Sequence, residues 1–191
     1  ASRGARWMAV TFDEPAHLTA GYLALRFDDF RCGPSHPPLI RMLGALPAAL
    51  DPGLRFSTTD QRYVLGQQHG IATMLLLEQN SYERPLQRGR FMIILLAASL
   101  GLLVFRWSHS LFGTAAAVMT LFLFVFEPNL MANGSLVTTD LGLTFFFTLT
   151  GFLLMLVVRR MTAARLLGLA AAFALAQISK HIREGDFRSH K

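Results

Sequence analysis

The apolar positions of this 191-residue chain are concentrated in its second half, after Arg90. Four apolar segments follow one another there: 91–105, 111–126, 141–158 and 166–178. A helix that spans a bilayer needs about 20 predominantly apolar residues. The third segment has this length by itself, and the first two reach it only when flanking residues are included. The fourth segment remains too short even then. Because runs of this length exclude barrel strands, the pattern predicts an all-α integral membrane protein with about four transmembrane helices.

The first half is more polar and predicts short helices. A helix is expected over 11–30, where Thr11 and Glu14 fit a capping box and Pro15 is tolerated in the first turn. A second helix over 39–50, broken near Pro47, is too short to span and suits the membrane surface. Residues 51–68 read as a loop and 71–77 as a brief apolar stretch. The predicted domains are a loop region with short amphipathic helices (1–90), a transmembrane bundle (91–180) and a tail (181–191).

Composition and charge agree with a membrane protein. Hydrophobic residues make up 52% of the chain and charged residues 16%, against about 25% charged residues in soluble domains. The net charge is +6, but the cations flank the apolar runs and form no stripe with interleaved aromatic residues. This placement favours membrane lipids as a partner over nucleic acid. The single Cys32 excludes an intrachain disulfide.

The loop charges predict an orientation. Arg159, Arg160 and Arg165 lie between the third and fourth segments, so that loop is expected in the cytoplasm. Counting back through the segments, a tight connection over 106–110 lies inside as well. Asp13 and Asp140 then fall together on the extracytoplasmic face.

Two groups of polar residues could carry chemistry. Asp13, Glu14 and His17 share one helical face, which suits a general base, metal ligands, or only a solvated first turn with a capping box. Asp140 follows Thr138 and Thr139 at the start of an apolar helix. There it is either a favourable charge at a helix N-terminus or, as an ionisable group at the membrane, a site residue.

Three further residues are weaker candidates. His36 precedes Pro37 and Pro38, a pattern typical of a rigid turn, and it could also be a ligand. Arg88 and Arg90 lie just before the first apolar segment, where they would contact lipid headgroups or bind a phosphate. A membrane metalloprotein that uses Asp13, His17 and His36 is one alternative function.

Several stretches together resemble a known family. They are Phe12-Asp13-Glu14-Pro15-Ala16-His17, Gly21-Tyr22, Asp29-Phe30-Arg31, His36-Pro37-Pro38-Leu39, Pro128-Asn129-Leu130 and Leu136-Val137-Thr138-Thr139-Asp140. In this order they resemble the phospholipid-carrier-dependent glycosyltransferases of the GT-C fold class, bacterial relatives of the protein O-mannosyltransferases and of the lipid A aminoarabinose transferases. The resemblance runs from about Val10 to Lys180. It covers the N-terminal part of such enzymes, which continue with more spans.

The resemblance implies a function and roles for the candidate residues. The chain would transfer a hexose or pentose, with inversion, from a polyprenyl-phosphate donor to a hydroxyl of a protein or lipid. Asp13 would be the catalytic carboxylate, with Glu14 and Asp140 in the same catalytic cavity. His17 and His36 would contact substrate. Since the leaving group is a phosphate, a nearby cation should stabilise the charge that develops on it, and Arg88 and Arg90 are the candidates for this substrate-binding role. No cofactor is implied, and a divalent metal is optional because the leaving group is a monophosphate. The expected location is a bacterial inner membrane.

The chain departs from the family pattern at three places. Relatives usually begin with a transmembrane helix before the Asp-Glu loop, and many carry Ala-His-Gly-Arg where this chain has Ala132-Asn133-Gly134-Ser135. The final residues, 181–191, do not continue the pattern. We therefore expect an N-terminal fragment of a longer enzyme. A non-catalytic membrane subunit or an inactive fragment is the alternative.

Overall fold

The computed structural model describes residues 13–33 and 36–179 and is helical, with no strand in those ranges. The helices are α1 (Glu14–Phe27), α2 (Pro38–Ala49), α3 (Gln61–Val64), α4 (Gln68–Thr73), α5 (Glu83–Phe112), α6 (Thr114–Val125), α7 (Pro128–Asn133), α8 (Asp140–Arg159) and α9 (Ala163–Ser179). A π-helical turn, Met74–Glu78, extends α4. The predicted all-α class is confirmed.

Two helices are long and apolar enough to cross a membrane, α5 with 30 residues and α8 with 20. Only 22% and 11% of their most apolar stretches are buried inside the protein. The core helix of a soluble protein would be mostly buried, so this exposure favours contact with lipid. At about 1.5 Å per residue, the 12 residues of α6 are too short to cross a bilayer alone. The 17-residue α9 is short as well, as the sequence predicted for the fourth segment.

The first half of the chain forms a small core beside the long helices. The buried side chains of α1 and α2 pack together with the apolar residues of α4 and its π-helical extension, which include Ile71, Met74 and Leu75. The brief apolar stretch predicted over 71–77 therefore supplies core. The short α3 interrupts the segment that the sequence predicted to be only a loop.

Two predicted helix ends and one predicted break differ from the structure. The first helix ends at Phe27, because Asp28 adopts a left-handed conformation with a φ of 53°. The second helix is not broken at Pro47 but continues to Ala49. The tight connection expected over 106–110 is helical, since α5 runs through Arg106 and ends at Gly113, which has a φ of 83°. The capping residue Thr11 and the tail after Lys180 lie outside the described ranges.

Close contacts at glycines bring α1, α2 and α8 together at one end of the bundle. A Cβ on Gly21 of α1 would overlap the carbonyl oxygen of Arg41 in α2. A Cβ on Gly142 of α8 would likewise overlap the side chain of Ile40 in α2. Glycine at both positions therefore lets α2 lie directly against the middle of α1 and the beginning of α8.

The two long helices, α5 and α8, run in the same direction. Near their beginnings, Gly89 of α5 lies against Val137, just before α8. Further along, the ring of Trp107 in α5 lies 6.1 Å from that of Phe152 in α8. At the far end Arg159 donates to the Ser110 carbonyl at 3.4 Å. Residues 13 and 140 therefore share one end of the bundle, and the arginine-rich loop lies at the other, as the loop charges predicted.

Candidate functional site

Glu14 connects the three segments that meet at this end of the bundle. Its side chain is fully buried, and its two carboxylate oxygens accept from Arg90 of α5, Oε1 from Nε at 3.0 Å and Oε2 from Nη2 at 2.6 Å. Oε1 also accepts from the backbone N–H of Val137 at 3.2 Å. A buried charge is costly unless it is paired and hydrogen-bonded, and Glu14 has both kinds of partner. It therefore fixes the start of α1 to α5 and to the segment before α8.

Arg90 is buried and already paired with a carboxylate, whereas an arginine that binds a phosphate must be accessible to it. Its side chain is 3% exposed, and its guanidinium is held by Glu14 in a two-point ion pair. Arg88, two positions earlier on α5, points to another side and is 52% exposed. It donates to Asp51 Oδ2 at 2.6 Å. An exposed ion pair of this kind is weak and exchangeable, so of the two arginines only Arg88 can reach an incoming anion.

Asp13 and Asp140 are exposed and begin two helices at the same end. Asp13 is the N-cap residue of α1, and its carbonyl accepts from the N–H of His17 at 2.9 Å. Asp140 is the first residue of α8. The negative charges of both carboxylates act on the imidazole of His17 and favour its protonated form. One histidine therefore lies within electrostatic range of both aspartates, although 127 positions of sequence separate them.

His17 is the buried centre of this group. Its side chain is 7% exposed, and its ring meets the ring of His36 edge-on, with 5.0 Å between centroids. Burial is the main cause that lowers its pKa to about 4, and Arg41 and His36 lower it further against the opposing effect of the two aspartates. Within the described ranges Nδ1 has no hydrogen-bond partner. His17 is thus a neutral imidazole at neutral pH.

The lowered pKa of His17 predicts a pH dependence of folding stability. The unfolded chain takes up the proton near the ordinary pKa of about 6.5, whereas the folded chain resists it down to about 4. Stability should therefore fall as the pH decreases through this window. Thermal unfolding in detergent micelles from pH 7 to pH 4 should show a shallower slope for His17→Gln than for the unchanged chain. The exposed His69→Gln is the matched control and should keep the full slope; an unchanged slope in His17→Gln would contradict the assignment.

Arg41 was missed by the sequence analysis. It is buried in α2 and donates to the carbonyl oxygens of Cys32 at 3.1 Å and Gly33 at 2.5 Å, and also to that of His36. These contacts hold the chain before α2 in place and present the exposed His36 to His17. A single charged residue in an otherwise apolar helix, three positions after Pro38, was the available signal.

A cavity of about 350 Å³ lies beside Asp140, between α5, α6, α7 and α8. We call it the α7 cavity. Its lining residues are Leu100, Phe124, Glu127, Asn129, Leu130, Asn133, Gly134, Asp140, Leu141 and Thr144. The resemblance had marked Pro128-Asn129-Leu130 without assigning a role, and the roles of Glu127 and Asn133 in the lining were not predicted. The cavity joins apolar walls to a polar side formed by amides and carboxylates.

A metal centre built from Asp13, His17 and His36 has no support in the geometry. Across 13–33 and 36–179, no three His, Cys, Asp or Glu side chains come together as a ligand group. His17 and His36 contact each other through their rings, and Asp13 faces solvent. The metalloprotein alternative is therefore not favoured by the part of the chain that the structure describes.

Comparison with known proteins identifies the family. Residues 82–182, just over half of the chain, match the model of the dolichyl-phosphate-mannose-protein mannosyltransferase family. The matched segment contains Arg88, Arg90, the lining of the α7 cavity and Asp140, and it begins after Asp13, Glu14, His17 and His36. No curated protein and no solved structure matches the chain. With its apolar helices and its polar group at one end of the bundle, the chain belongs to the dolichyl-phosphate-mannose-protein mannosyltransferase family of membrane glycosyltransferases.

Proposed function

We propose that the chain carries the acidic site of an inverting glycosyltransferase, which moves a sugar from a polyprenyl-phosphate donor to a hydroxyl of a protein or lipid. The observation that supports this most directly is that Asp140 lines the α7 cavity at the end of the bundle where Asp13 also begins a helix. An exposed carboxylate beside a cavity with both apolar and polar walls suits a lipid-linked sugar. The family match supports the donor class.

In this proposal Asp13 acts as the general base. The acceptor oxygen forms a bond to the anomeric carbon on the face opposite to the phosphate, while the bond to the phosphate oxygen breaks. The proton of the acceptor hydroxyl goes to the Asp13 carboxylate, and polyprenyl phosphate leaves with the electron pair. Attack from the opposite face inverts the anomeric centre. Asp140 lines the cavity in which the sugar lies.

The other predicted site residues receive different roles. Glu14 is buried and already bonded to Arg90 and Val137, so both members of this ion pair position the site and do not contact substrate. Arg88 is the better partner for the leaving phosphate, because it can exchange its exposed pair with Asp51 for a more highly charged anion. His36 is exposed beside His17 and is the histidine that can contact substrate.

The proposed location follows from the loop charges. Arg159, Arg160 and Arg165 are concentrated at the end of the bundle opposite to Asp13 and Asp140. Under the positive-inside rule that end faces the cytoplasm. We therefore propose that the site faces the extracytoplasmic side of a bacterial inner membrane, where a lipid carrier would deliver its sugar.

A transfer assay tests the proposal. The 191-residue chain in lipid nanodiscs is incubated with a radiolabelled polyprenyl-phosphate hexose or pentose and with either a Ser/Thr-containing peptide or a hydroxylated lipid. We expect label on one acceptor, an equal release of polyprenyl phosphate and, by NMR, an inverted anomeric centre. A parallel reaction with a chelator tests whether a divalent ion assists. A donor that stays intact with every acceptor would overturn the proposal and favour a non-catalytic membrane subunit.

A further inference from the structure

The lining of the α7 cavity combines apolar and polar side chains. The apolar ones are Leu100, Phe124, Leu130 and Leu141, and the polar ones are Glu127, Asn129, Asn133, Asp140 and Thr144. Neighbouring side chains on α6 and α7, such as Leu123 and Met131, are at least 60% exposed. In a membrane these side chains face lipid, so a ligand can enter the cavity from the bilayer. An acceptor protein would instead arrive from water.

The polar part of the lining carries negative charge. Among the described residues that line the cavity, the charged ones are Glu127 and Asp140, and none is Lys, Arg or His. Glu127 caps α7: Oε2 accepts from the Leu130 N–H at 2.6 Å, and Oε1 accepts from Asn129 Nδ2 at 3.1 Å. These bonds lower the pKa of Glu127, so its carboxylate stays ionised. Since that carboxylate occupies the start of α7, the backbone there offers no place for another anion.

Asp140 also connects the cavity to the proposed reaction centre. The negative charges of Asp140 and Asp13 both favour the protonated form of His17. A group in the cavity that touches Asp140 therefore lies at the end of the bundle where Asp13, proposed as the base, begins α1. This position suits the part of the donor that reacts, the glycosyl ring, and not the distant isoprenoid chain.

We propose that the α7 cavity selects the glycosyl group of the donor by charge, accepting a neutral or amino sugar and rejecting a sugar that carries a carboxylate. This inference rests on the proposed function. Hydroxyl groups of a neutral ring donate to Glu127 and Asp140 and exchange bonds with the amides of Asn129 and Asn133, and an amino group adds a favourable charge. A uronic acid places a third carboxylate against two in a partly apolar cavity, where charges repel more strongly than in water.

Equilibrium binding of two donors that differ only in the sugar tests the inference. The chain in nanodiscs is titrated with a polyprenyl-phosphate hexose and with the corresponding hexuronic acid. We expect the hexuronic acid to bind on the order of tenfold more weakly, which corresponds to about 1.4 kcal/mol. Glu127→Gln keeps the size of the side chain and removes one charge, so it should reduce the difference in affinity between the two donors. Asn133→Asp adds a charge, so it should increase this difference in affinity.

Glu83→Gln is the matched control, because it removes an exposed carboxylate at the start of α5 without touching the cavity, and it should leave the difference in affinity unchanged. The inference would be overturned if the two donors bound with equal affinity or if neither bound. It would also be overturned if Glu127→Gln left the difference in affinity unchanged. The proposed function fails separately: if donor binding keeps its charge preference but no sugar is transferred, selectivity stands and catalysis by this chain does not.

Discussion

Asp13→Asn is expected to lower the turnover of glycosyl transfer by about a thousandfold, within the range by which a positioned general base accelerates a reaction. Asparagine has nearly the same shape, so the N-cap position of α1 and the contact of its carbonyl with His17 persist. It cannot accept the acceptor proton. The loss should therefore appear in kcat with little change in KM for the donor, which steady-state kinetics in nanodiscs would measure.

Asp28→Asn is the matched control for this substitution. Asp28 is exposed at the other end of α1 and adopts a left-handed conformation that asparagine also tolerates. The control should keep the activity of the unchanged chain. Unaltered transfer by Asp13→Asn would exclude Asp13 as the base. A rise in the donor KM at constant kcat would instead make Asp13 a binding residue.

Arg90→Met is expected to destabilise the fold by about 3–5 kcal/mol, the usual cost of leaving one member of a buried ion pair without its partner. Methionine occupies a similar space but removes the donors that Glu14 accepts from. Glu14 is fully buried, so its charge would lose the guanidinium that neutralises it. Reversible unfolding of the chain in detergent micelles, followed by circular dichroism, measures this change.

Arg88→Met, on the same helix, is the control for Arg90→Met. Its pair with Asp51 is exposed and screened by solvent, so its loss should destabilise the fold far less than the loss of the buried pair. The double variant Glu14→Gln/Arg90→Met removes the charge that Arg90→Met strands, and should recover a large part of the lost stability. Equal costs for Arg88→Met and Arg90→Met would mean that the buried pair does not hold α1 to α5. No recovery in the double variant would show that the loss comes from packing instead.

The helix ends predicted from the sequence agree with the structure at α8 but not at α5. Both ends of α8 were predicted within a residue or two. A long apolar segment in a membrane protein can satisfy its backbone hydrogen bonds only as a helix, so the apolar segment and the helix coincide. The end of α5 was predicted six or more residues too early. Arg106 and Trp107 do not break a helix, since neither disturbs its backbone hydrogen bonds, whereas Gly113 has a positive φ and does.

Sequence alone determined the helical membrane class, the shared end of Asp13 and Asp140, and the family to which their motifs point. Those properties depend on segment length, composition and loop charge, which are local. Only the tertiary structure decided that Arg90 pairs with Glu14, that His17 is buried against His36, and that Asp140 lines the α7 cavity. The contacts made by Glu14 join residues as many as 123 positions apart. No local pattern specifies such partners, because they depend on which helix faces pack together.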